Sequence, residues 1–316
     1  MRWSKDDPFW VLYSSASFPN SLNKPRDWTC WMCVRPGRRA KQVEVLVKFS
    51  RLFVCAALFA AFSAVLPAQQ ASTGYHQVAC IKVKPENNHE FRQWAAGDLH
   101  KIVQSRVDGG AVSQWILLRS VIPAGTSAQC DYAVVTMYPG VPPQPMGLDE
   151  LDAVLKKAGI SMTAQQFVDR RSSLTTLVSN NMFQNRALVG NFKKGDYFVV
   201  NYMKASNLED YVAFEKKAWQ PVAEELDKEN LRSGWSLNTM VFPGGSDVPF
   251  NAVTVDVFPT WESIFNNDRQ QFYQIWQKAH PDMELGTTFE QYDKLRHQGD
   301  IDIYVVQDTI THQPGS

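Results

Sequence analysis

Residues 233–245 read SGWSLNTMVFPGG, and 120 positions earlier residues 113–125 read SQWILLRSVIPAG. Ser113, Trp115, Leu117, Val121, Pro123 and Gly125 recur in step as Ser233, Trp235, Leu237, Val241, Pro243 and Gly245. In both stretches an apolar run ends at a proline, which has no N–H to give a ladder, so each reads as a strand that stops in a turn. The same offset aligns residues 75–139 with 195–259 without a gap, matching Lys84 with Lys204, Asn87 with Asn207, Val135 with Val255 and Pro139 with Pro259. Repetition at a fixed period implies two copies of one structural unit.

Each copy spells the same series of elements. A strand comes first, HQVACIKVK in one copy and YFVVNYMK in the other. A helix follows, with Asn87 and Glu90, or Asn207 and Asp210, spaced as a cap and an acid three residues on. Its apolar face is Phe91, Trp94, Leu99 and Ile102 in the first copy and Tyr211, Phe214, Trp219 and Val222 in the second. The Trp-bearing strand and a third strand (CDYAVVTMYP, FNAVTVDVFP) come next, then helical stretches, then a closing strand (NMFQNRALVG, DIDIYVVQDTI). The order is β-α-β-β-α-β, the split-βαβ or ferredoxin-like unit, over residues 75–190 and again over 195–312.

Strand parity says why two copies are needed. In VACIKV, Val78 and Cys80 point one way and Ala79, Ile81 and Val83 the other, and both faces are largely apolar. A unit's own helices can cover one face only, so the other must be covered by a second sheet. This pattern resembles the dimeric α/β-barrel superfamily, with both halves in one chain. The resemblance implies an α+β fold in which two tandem ferredoxin-like units pack sheet to sheet as an intrachain dimeric α/β-barrel. That superfamily includes cofactor-independent monooxygenases, isomerases, small-molecule binders and haem proteins, so fold does not select a function.

The copies differ where chemistry could sit. Ile81, Leu118 and Thr136 in the first become Asn201, Asn238 and Asp256 in the second. On one shared face these three would make a hydrogen-bonding cluster for a small, mostly apolar ligand in a pocket between sheet and helices, with Tyr202 as further lining. The alternatives are a self-satisfied core network, or exposure near strand ends. Trp115 and Trp235, being duplicated, read as core, and His100 reads as part of a solvated helix face. No His spacing fits a metal, the zinc-like spacing of Cys30 and Cys33 has no second pair, no phosphate or dinucleotide loop is present, and no cofactor is expected. A small-molecule ligand is therefore the expected partner. The alternatives are a cofactor-independent monooxygenase- or isomerase-like enzyme, and a structural or interaction protein with a filled interior.

The 316-residue chain has zero formal net charge, unevenly placed. Residues 1–51 hold ten Lys/Arg against four Asp/Glu, and the remaining acidic body is a poor footprint for nucleic acid. Lys48 and Arg51 precede an uncharged run of 15 residues, Leu52–Leu66, which suits a signal-peptide core and is short for a membrane span. Residues 47–68 are expected to be a signal peptide cleaved after Ala68, with an uncleaved anchor as the alternative. Residues 1–46, which include the isolated pair Cys30 and Cys33, read as a mis-assigned start or disordered extension. Cys80 and Cys130 then remain in an exported protein. Both fall in predicted strands, and two buried free thiols are expected, with a disulfide as the alternative. N-terminal sequencing of protein from its own host is expected to begin at Gln69; recovery of a peptide from residues 1–40 would refute the mis-assigned start.

Overall fold

In the computed structural model the described residues are 74–266 and 268–312. The expected extension, the signal peptide and the Cys30/Cys33 pair lie outside them. The first half contributes strands β1 (Tyr75–Val83), β2 (Gln114–Ile122), β3 (Tyr132–Met137) and β4 (Thr175–Gly190). The second contributes β5 (Tyr197–Ala205), β6 (Gly234–Phe242), β7 (Ala252–Phe258) and β8 (Arg296–Thr311). They form one closed antiparallel barrel, in the order β1-β3-β2-β8-β5-β7-β6-β4. The order β4-β1-β3-β2 in the first half is thus repeated as β8-β5-β7-β6 in the second.

Closure depends on the two longest strands, β4 and β8, of 16 residues each. The first part of β4 pairs with β1 of its own half, from Val83↔Thr175 to Tyr75↔Gln184, and its last part pairs with β6 of the other half, from Met182↔Phe242 to Gly190↔Gly234. Strand β8 does the same between β5 and β2. The two sheets are therefore hydrogen-bonded to each other along two seams, which is more than the sheet-to-sheet packing expected from sequence. At one seam the backbones come too close for any side chain: a Cβ on Gly190, whose φ is 69°, would lie 2.3 Å from the Ser233 carbonyl, and one on Gly234 would lie 2.6 Å from that of Val189.

Helices cover the outside. In the first half, α1 (Asn88–Trp94) continues through a π-helical segment (Ala95–Leu99) into α2 (His100–Asp108), and α3 (Leu148–Lys157) and α4 (Ala164–Leu174) follow later. In the second half these are α5 (Leu208–Ala218), α6 (Gln220–Lys228), the short α7 (Trp261–Phe265), α8 (Arg269–Ala279) and α9 (Leu285–Leu295). The π segment explains the five-residue step between Trp94 and Leu99: one extra residue per turn keeps both on the sheet-facing side. The expected cap forms in one copy only. Asn207 accepts the Asp210 N–H at 3.4 Å, whereas Asn87 caps nothing and donates instead to the Ser173 carbonyl at 3.0 Å.

Both sheet faces are buried, as strand parity requires. Trp115 and Trp235 each anchor a helix–sheet core, one per half, and Ile116, Leu118, Phe183, Phe198, Tyr304 and Val306 fill part of the barrel interior. The strands β4 and β8 begin six and four residues earlier than the sequence suggests. Thr175 to Val178, and Arg296 to Gln298, which the sequence suggests as the ends of the preceding helices, belong to them instead.

The cysteines correct another expectation. Cys80 and Cys130 form a disulfide, with Cα atoms 5.2 Å apart. Cys130 lies just outside β3, where the loop from β2 returns beside β1, rather than within a strand. The bond closes a chain separation of 50 residues. Replacing both cysteines by alanine is expected to lower stability by about 2–4 kcal/mol, seen as a lower midpoint in urea; an unchanged midpoint under oxidising conditions would show that the bond does not form.

Candidate functional site

Along β1, residues of even number (His76, Val78, Cys80) face the barrel interior; along β5, Phe198, Val200 and Tyr202 do so. The interior residues leave a cavity of about 130 Å³ that follows the barrel axis, its β4 lining running from Ser179 to Leu188. Gln129 near one end and Leu188 near the other are also exposed, so the space is not sealed from solvent. Its walls are mainly apolar and aromatic. His76 stacks on Phe183 with ring centroids 5.3 Å apart, Phe183 lies parallel to Phe250 at 6.5 Å, and Tyr202 meets Phe250 at 4.7 Å.

A few polar groups interrupt this wall. Asn238 on β6 donates its amide to Ser236 Oγ at 3.0 Å and to the Val253 carbonyl at 3.4 Å, which leaves its Oδ1 without a donor among the described residues. Across the seam, Asn185 of β4 stands opposite Asn238 in register, and its Oδ1 is buried without a partner. His76, 6% exposed, has no hydrogen bond from either ring nitrogen to the described residues. Burial holds its pKa down to about 4, so the imidazole is neutral, with one donor and one acceptor nitrogen. Toward the other side, the Tyr304 hydroxyl donates to Asp302 at 3.2 Å. Burial, together with Tyr304 and Asp302 beside it, keeps the Tyr202 hydroxyl well above the ordinary tyrosine range.

The four residues singled out from sequence do not share one face. Asn238 and Tyr202 line the interior, whereas Asn201 and Asp256 point outward beneath the helices. Alternation decides this: Asn238 is three residues from the outward Trp235, and Asn201 is next to the inward Tyr202. Asn201 Nδ2 donates to Asp256 Oδ2 at 3.2 Å, and Arg232 pairs with Asp256 from the segment before β6 while its guanidinium lies over the Trp219 and Phe258 rings. Asn201 and Asp256 thus belong to a self-satisfied network, and the expected pocket between sheet and helices is replaced by one inside the barrel. His100, expected on a solvated face, instead pairs with Asp308 of β8 at 2.6 Å.

The same outward layer of the second half buries Glu215 completely. The hydroxyls of Tyr211 and Tyr292 donate to it at 2.6 and 3.1 Å. Burial raises its pKa to about 7, against the lowering effect of Tyr211, Arg296 and Tyr292. The equivalent first-half residue is Ala95, and those of Arg232 and Tyr211 are Val112 and Phe91.

His76, Asn185, Phe183 and Phe250 were not singled out from sequence. His76 carried a signal: it has the parity of Val78 and Cys80. Asn185 and Phe183 lie on β4, whose register fixes their facing, and Phe250 lies in the loop just before β7.

No protein-family model and no curated protein matches the sequence. Among solved structures, a "putative monooxygenase" from Lactobacillus acidophilus NCFM matches with 10% identity over 76% of this chain and 97% of its own, at a TM-score of 0.47. A similarly described protein from Fusobacterium nucleatum subsp. nucleatum ATCC 25586 gives 11%, 76%, 95% and 0.46, and an anthrone oxidase-like protein gives 11%, 76%, 94% and 0.41. The likeness is of fold alone, at low identity. Among the described residues no group of three or more His, Cys, Asp or Glu is placed to hold a metal ion, and no helix is long and apolar enough to cross a membrane.

Because the folded state holds the Glu215 proton more tightly than the unfolded chain, stability from this group is complete at low pH and falls as pH rises toward and through about 7. Thermal melts of wild type and Glu215→Gln are expected to diverge with rising pH, the wild type losing ground; parallel curves from acid to mildly alkaline pH would contradict the burial of an ionisable group here.

Proposed function

We propose that this chain is an exported protein of two tandem ferredoxin-like units, residues 75–190 and 195–312, whose common barrel binds a small, mostly apolar molecule. The strand order repeated in each half supports the two-unit reading. The leader-like segment at residues 47–68 and the Cys80–Cys130 disulfide support export, since such bonds persist in oxidising compartments.

One observation carries the binding reading: an apolar cavity of about 130 Å³ into which a buried, neutral His76 presents ring nitrogens that no described residue satisfies. A side-chain-filled interior would suit a purely structural role; this one has room. Apolar cavities near 150 Å³ accept a benzene-sized molecule, and a few polar groups in a mainly apolar wall are what small-molecule sites have in common. Asn238 and Tyr202 are proposed as ligand contacts within it, while Asn201 and Asp256, on the outward face, are not.

The second reading is a cofactor-independent monooxygenase- or isomerase-like enzyme. The free imidazole favours it, because a neutral histidine in a mainly apolar cavity can take a proton from a bound molecule.

Toluene is expected to raise the melting temperature of the full chain in a dose-dependent way, as any ligand of the native state must. Ala133 lines the cavity from β3 and is 5% exposed. Ala133→Leu should fill part of the space and remove the toluene shift while the fold is kept by circular dichroism. No shift in wild type, or a shift that survives the substitution, would refute binding inside the barrel.

A further inference from the structure

Three buried polar residues, His76, Asn185 and Asn238, lie close in register on adjoining strands of the barrel, and His76 and Asn238 line the cavity. Asn185 and Asn238 are register partners across the β4–β6 seam. The Asn185 N–H is bonded to the Gly74 carbonyl at 2.9 Å, and His76 is the second residue beyond Gly74, a same-face diagonal neighbour. All three are at least nine-tenths buried, at 6% exposure for His76, 9% for Asn185 and 5% for Asn238. Left unpaired, such buried groups are costly, yet the Asn185 Oδ1 and the imidazole of His76 have no hydrogen-bond partner among the described residues. Among the described residues that line the cavity there is no Lys, Arg, Asp or Glu.

These facts constrain a ligand in three ways. The volume admits a single ring. The Asn238 Oδ1 and one nitrogen of His76 accept hydrogen bonds, and the other nitrogen of His76 donates one, so the ligand must carry a group that both donates and accepts. The absence of a lining charge makes an ionised ligand costly, because nothing would replace its hydration. Resting on the barrel-binding reading above, we infer that the cavity selects an uncharged, single-ring molecule bearing a hydroxyl, of the phenol class, with the hydroxyl held at His76 and Asn238 and the ring among Phe183, Phe198 and Phe250.

Isothermal titration of the full chain at neutral pH with phenol, toluene and benzoate tests this. Phenol is expected to bind at least about tenfold more tightly than toluene, and benzoate more weakly than either. His76→Phe preserves a ring against Phe183, and Asn238→Leu preserves size; in each the phenol preference should collapse while toluene still binds, and either variant suffices if the other does not fold. Equal affinity for phenol and toluene in wild type, a preference that persists in the substituted proteins, or benzoate binding as tightly as phenol would overturn the hydroxyl-selective site and leave barrel binding standing. Failure of both phenol and toluene to bind would overturn barrel binding itself, and this inference with it.

Discussion

The molecule rests on the backbone pairing of β4 and β8 with both halves at once. A four-stranded sheet of either half has two edges whose N–H and C=O groups would lie open to other chains. Each long strand ends its own half's sheet with its first residues and begins the other's with its last. Both edges of both sheets are thereby used, and the closed barrel has no free edge. Side chains adjust to this pairing. Gly190 and Gly234 give up Cβ atoms where β4 and β6 cross closest, while the other seam tolerates Gln114, whose amide bonds the Thr311 hydroxyl at 3.0 Å.

Closure also creates the cavity. An eight-stranded barrel has an interior just wide enough for side chains to fill. Here Ala133, Val135, Val200, Val253 and Val255 contribute little bulk to the lining, and the aromatic rings gather along a stack from His76 through Phe183 to Phe250 and Tyr202. The Cys80–Cys130 disulfide belongs to the same lining. At the equivalent place the second half has Val200 and Phe250, so the two halves finish the same end of the barrel by different means.

The outward layers diverge in the opposite sense. The first half keeps an apolar helix–sheet core around Phe91, Trp94 and Trp115. The second has a buried Glu215 and a half-buried Asp256 and Arg232 in the corresponding layer, each with hydrogen-bond or ion-pair partners. These charged groups thus sit where protein partners surround them, while in the interior layer the Asp302 carboxylate, in register with Val200, accepts from the Tyr304 hydroxyl. The covering helix deforms at the same place in each half: a π segment at Ala95–Leu99 in one, and in the other a break at Trp219, before Pro221 of α6. Both deformations let a five-residue step in the apolar pattern stay on the sheet side.

Much of this fold was legible because a duplicated sequence repeats its turn prolines, its core tryptophans and its strand phase, and because strands apolar on both faces must be covered twice. His76 and Asn238 were readable as inward by parity from Cys80 and Trp235. Three things were decided only by tertiary structure. The register across the seams joined β4 to β6 and β8 to β2, since edge strands choose partners through long-range backbone hydrogen bonds that no local pattern encodes. The same register set Asn201 and Asp256 beneath the helices and apart from Asn238, because neighbouring strands fix which face each residue shows. Loop geometry brought Cys130 to Cys80, a distance in space that 50 residues of intervening chain do not determine.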